Sequence, residues 1–226
     1  MPLQSKLLSG DEKSLYHFSN DLVWGCRFYA RQATEASSEY LRMMANMSCV
    51  FLGGSYLEAR LNELSANVVA LPGELHVPRA FWEVLHDRRR DPSFKDKWDL
   101  IASVSKGRLW DSASEPFQSY DHIVSLRNEL VHYKGEYGNV SEPAVAKIRG
   151  LLTRFKGPGF AILGMPDEPS WITVLLTCVE LGDWVSKTVD DFDMRFDHYL
   201  SGRELSDMDR SIYEMQQVSR NPFRKE

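Results

Sequence analysis

The sequence predicts an all-α protein, an up-and-down helical bundle with a helical insertion. Two observations predict it. Apolar residues recur at helical spacing along nearly the whole chain, and no run alternates with period two between hairpin signals. No internal repeat or low-complexity tract competes with this reading. With 226 residues, 43% hydrophobic and 12% aromatic, the chain can bury a substantial core in one domain over residues 1–205, followed by a tail over 206–226.

The first helix is expected over residues 11–36, with Ser9 or Asp11 as N-cap. The second is expected over 37–70 and ends at Pro72 and Gly73. Its apolar face carries Met43, Met47, Val50, Gly54, Leu57, Leu61, Leu64 and Val68. Gly53 and Gly54 lie mid-helix and predict close approach of another helix. Residues 72–113 read as an insertion of two short helices, the first started by Pro78 and the second closed by Gly107. A strong helix follows over 116–134, broken by Gly135 and Gly138. Ser141 and Pro143 open another, a Gly- and Pro-rich loop follows, and a last long helix is expected over 170–200.

Composition excludes several classes. A net charge of −5 does not suit a generic basic nucleic-acid coat, so any nucleic acid must be held by a local or assembled patch. Three scattered cysteines, Cys26, Cys49 and Cys178, form neither a disulfide framework nor a zinc motif. The N-terminus has no signal-peptide pattern, and the stretch from Trp171 to Val185 is interrupted by Glu180 and Asp183, so a cytoplasmic protein with no membrane contact is expected. "GPGF" (157–160) lacks the lysine of a P-loop, and the acidic run Val189–Tyr199 lacks EF-hand spacing and reads as the polar side of a helix. His122, beside Asp121, reads as a helix-surface histidine.

One residue disobeys the pattern. On the helix from Phe117, the residues Phe117, Tyr120, Ile123, Val124, Leu126, Leu130 and Val131 fill one side, and Arg127 falls near the middle of that arc. A guanidinium cannot shed its proton, so there it needs a carboxylate, a set of carbonyls, a ligand or a crevice between subunits. Asn128 and His132, spaced i, i+4, flank it, while Glu129 points away. On the second helix Glu58 and Asn62, also i, i+4, lie at the margin of the apolar face. A structural ion pair between Arg127 and Glu58 and a functional cluster of these residues are both open readings. Arg127 and His132 are about 140° apart on an ideal helix, so they do not share a direction unless the arginine swings or a symmetric copy completes the cleft.

"RNELVH", Arg127 to His132, resembles the R-x-x-x-x-H signature of HEPN domains, and "SYLEARLNEL", Ser55 to Leu64, resembles the helix that faces it in that family. The resemblance implies a HEPN-type bundle and a metal-independent endoribonuclease with no cofactor, acting as a homodimer with a composite site. It implies a toxin or antiphage defence effector, with a neutralising antitoxin or other defence protein as partner. By the same resemblance Arg127 and His132 are catalytic, Asn128 supports them and Glu58 orients Arg127. RNA contacts are expected from Asn62, from Tyr133 and from Arg88, Arg89 and Arg90 in the basic run "HDRRRD". Where some members carry a tyrosine two residues after the histidine, this chain has Lys134. The alternative from a different class is a non-catalytic interaction or nucleotide-binding module.

Overall fold

The computed structural model describes residues 17–70, 78–87, 93–106, 111–132, 150–151, 154–155 and 171–201. Every regular element among them is a helix: α1 (Phe18–Glu35), α2 (Glu39–Ala70), α3 (Arg79–Asp87), α4 (Phe94–Lys106), α5 (Phe117–Val131), α6 (Trp171–Leu176) and α7 (Glu180–Ser201). The all-α class holds. No described helix is long and apolar enough to cross a membrane. The expected N-caps Ser9 and Asp11, and the helix expected from Ser141 apart from Gly150, Leu151, Arg154 and Phe155, lie outside the described residues.

The long helix α2 is the spine, touching α1, α3, α5, α6 and α7. Its Cys49, Val50, Tyr56, Leu57 and Leu61 are buried, as are Leu22, Val23, Cys26, Ala30 and Ala33 on the facing stripe of α1. Gly53 and Gly54 do what their position suggested. A Cβ on Gly53 would lie 3.0 to 3.2 Å from Val185 Cγ1, Cys26 Sγ and Val189 Cγ2, and one on Gly54 would lie 3.3 Å from Arg127 Cβ. The glycines let α1 and α7 close on one side of α2 and α5 on the other. Cys26 and Cys49 meet at the α1–α2 contact as free thiols with their sulfurs 3.5 Å apart.

Helix starts are fixed by polar side chains. Ser93 and Asp96 form a reciprocal capping box at α4, with Asp96 N donating to Ser93 Oγ at 3.2 Å and Ser93 N to Asp96 Oδ2 at 3.1 Å. The first turn of α1 is served from a distance: Glu63 on α2 accepts from Ser19 N at 2.9 Å and from Ser19 Oγ at 2.5 Å.

The residues read as an insertion enter the same core. Trp82 of α3 and Trp98 of α4 are fully buried, and Trp98 meets Phe192 and Phe196 of α7 edge-on at 4.6 and 4.3 Å between ring centres.

Four expectations need correction. The last helix is two helices, interrupted at Thr177–Val179. The interruption leaves carbonyls without helical partners, and the fully buried Asn46 amide donates to two of them, Leu176 O at 2.7 Å and Cys178 O at 2.8 Å. The acidic run in α7 is not simply a polar face. Asp193 is 1% exposed and pairs with Arg60 of α2 at 2.7 Å, and Asp190 pairs with Arg27 of α1. In α5, Val131, expected on the apolar side, is 51% exposed at the helix's last residue. His122 is half-buried rather than fully on the surface.

Two stability outcomes follow. Gly53→Ala gains about 1 kcal/mol of helix propensity but forces contacts that cost about 1–3 kcal/mol, so thermal unfolding at a lower temperature is expected. An unchanged or raised midpoint would mean that α1 and α7 are not held this close. Asp193→Ala strands Arg60 and is expected to cost about 3 kcal/mol in denaturant titration, whereas the double change Asp193→Leu with Arg60→Met recovers most of that loss.

Candidate functional site

Arg127 stands where α5 crosses the glycine step of α2. Its Cβ and Cγ lie over Gly54, and Tyr120, two turns earlier on α5, donates its hydroxyl to Gly54 O at 3.0 Å. Any side chain at position 54 would push this arginine outward. Arg127 as a whole is half-buried, and its Nη1 donates to the exposed Asn128 Oδ1 at 2.9 Å. Among the described residues no carboxylate lies within 4.0 Å of it, so the closed ion pair with Glu58 does not form. Glu58 is exposed, one turn beyond Gly54 on α2. Its charge and that of Arg127 act in opposite directions on the Tyr120 hydroxyl, whose pKa burial pushes far up.

His132 caps α5. Its backbone leaves the helix at φ −107°, ψ 21°, while its N–H still donates to Asn128 O at 2.9 Å. The helix expected to 134 therefore ends at Val131, and the imidazole follows a non-helical backbone rather than the 140° position of an ideal wheel. It is exposed and makes no side-chain hydrogen bond or ion pair among the described residues. The fold thus gathers Arg127 and Asn128 with Glu58 along one seam between α2 and α5, with His132 at its end. Arg88, Arg89, Arg90 and Tyr133 lie outside the described residues.

One buried cation against α2 was missed in the sequence. Lys97 of α4 is 2% exposed, and its Nζ donates to Asn62 Oδ1 at 3.2 Å. Burial holds its amine below the usual lysine range, and Glu58 acts the other way. The signal was available. Lys97, Ile101 and Ser105 are spaced i, i+4, i+8 and all are buried, so Lys97 is a cation on an apolar stripe, the same anomaly that marked Arg127.

A cavity of about 480 Å³ lies elsewhere, at the opposite end of α5, lined by Glu115, Ser119, Arg154, Trp184, Lys187 and Arg195 among others. Ser119 is eight residues, about 12 Å along the axis, from Arg127. Its walls mix both charge signs, with Arg154 stacked over Trp184 at 5.5 Å and facing Glu115 at 3.8 Å, so it forms no uniformly cationic phosphate pocket.

The lowered amine gives a pH outcome. Between the folded value and the ordinary 10.5, the unfolded chain binds more protons than the folded one at Lys97, so stability contributed by this site rises with pH across that window. Thermal unfolding of wild type and Lys97→Met between neutrality and pH 10.5 is expected to show a relative gain for wild type as pH rises. Parallel curves would contradict a buried, charged amine.

No family model, no curated protein and no solved structure matches this chain.

Proposed function

We propose that the chain is a metal-independent endoribonuclease of HEPN type, working as a homodimer, in the setting of a toxin or antiphage defence effector with a neutralising partner. The observation that carries the reading is Arg127. It is a permanent cation on the α2-facing side of α5, hydrogen-bonded to Asn128 and without a carboxylate partner among the described residues, one turn from an exposed histidine. A structural arginine at such a place would be expected to close on Glu58.

These groups suit cleavage of RNA by its own 2′-hydroxyl. A base removes the hydroxyl proton, the 2′-oxygen bonds to the adjacent phosphorus, the bond from phosphorus to the 5′-oxygen breaks, and an acid protonates that oxygen. The products are a 2′,3′-cyclic phosphate and a 5′-hydroxyl end. Histidine titrates near neutrality and serves in either role, so two copies of His132 across a dimer divide acid from base. The forked guanidinium of Arg127 takes the phosphoryl oxygens and stabilises the charge that develops on them. Asn128 fixes the plane of that fork. Single-stranded RNA is the fitting substrate, because in-line attack needs a free backbone.

The test is cleavage of a single-stranded RNA in the presence of EDTA by wild type, Arg127→Ala and His132→Ala. Wild type is expected to cleave, and each substitution to lower the rate by about 10²-fold or more. Equal background in all three would leave a non-catalytic helical module.

A further inference from the structure

Burying an ammonium is costly, and Lys97 does not recover that cost through a direct ion pair among the described residues. Its hydrogen-bond partner is the neutral amide of Asn62. A methionine at this position would fill the same space between Ile101 and Trp98 without the penalty. What a lysine does that methionine cannot is impose a direction on the amide. An ammonium has three donors and no acceptor, so the oxygen of Asn62 must face it and the NH₂ group must face away. Both N–H donors of Asn62 are then without a hydrogen-bond partner among the described residues, on a half-buried side chain one turn from Glu58. Asn62 is two turns beyond Gly54, over which the stem of Arg127 lies, so the two backbone positions are about 12 Å apart along the α2 axis. A strand held by Arg127 and running along α2 would bring a flanking nucleotide within reach of Asn62.

We infer that Lys97 is a positioning residue that presents the Asn62 amide as a hydrogen-bond donor to the RNA strand next to the cleaved linkage. The inference rests on the ribonuclease reading for its ligand, yet it is separable from catalysis because it concerns binding. Lys97 does not touch the strand; it acts through Asn62. An arginine in its place keeps the donor-only character and so keeps the orientation.

The experiment measures the affinity of a fluorescent single-stranded RNA for the His132→Ala chain, alone and with Lys97→Met, Lys97→Arg or Asn62→Asp added, alongside the cleavage rates of the same changes in the wild-type background. Lys97→Met is expected to weaken binding about tenfold, the loss of one or two hydrogen bonds, with Lys97→Arg restoring most of it. Asn62→Asp keeps a partner for Lys97 and so keeps the thermal midpoint at or above that of its parent, while binding falls by at least as much, since both donors are gone. This variant carries the test if Lys97→Met fails to fold. Wild-type affinity in Lys97→Met or in Asn62→Asp overturns the inference and leaves the nuclease reading intact. If wild type does not cleave but binds RNA, the nuclease reading falls and the Lys97 series still decides the inference. If the chain neither cleaves nor binds RNA, both fall.

Discussion

The structure depends on the absence of side chains at two consecutive positions of one helix. At Gly53 and Gly54, α2 presents bare backbone to both sides. Val185 and Val189 of α7 and Cys26 of α1 close on Gly53, and Arg127 of α5 lies on Gly54. Dispersion falls off steeply with distance, so a gap of even a methyl group would loosen these contacts at once. The same step creates the site, because a helix that approaches this closely brings its arginine against backbone rather than against a carboxylate.

Around that step, the helices are tied by polar groups that the core could not tolerate unpaired. Asn46 accommodates the break between α6 and α7, Asp193 joins α7 to Arg60, Asp190 joins it to Arg27, and Glu63 completes the start of α1. Each joins elements distant in sequence, and each is a group whose burial would be unfavourable without that partner. Together they hold α2 against three neighbours. A site built on rigid helices keeps its geometry better than one built on loops.

The seam carries hydrogen-bonded donors beside exposed ionisable groups. Arg127 donates to Asn128 and Lys97 to Asn62, and in both cases a donor-only cation turns the amide oxygen toward itself. Glu58 and His132 remain exposed. Preorganised donors beside accessible ionisable groups are what the proposed cleavage of RNA requires.

Much of this was legible in the sequence. Period fixed the helical class, Gly53–Gly54 marked the close approach, Pro78 marked the start of α3, and the misplaced Arg127 marked the seam, because each is a local conflict between residue type and position. The break at Thr177–Val179 was not legible, since the residues there continue a helical pattern and the Asn46 amide that donates to the freed carbonyls lies 130 residues away. Nor was the pairing of Asp193, whose partner lies on another helix. By itself the sequence determined which faces must be buried and which residues are wrong for them. The tertiary structure decided what stands opposite those residues, since partners for a buried charge come from whichever helices pack against it: Asp193 for Arg60, Asn62 for Lys97, and for Arg127, among the described residues, the asparagine beside it.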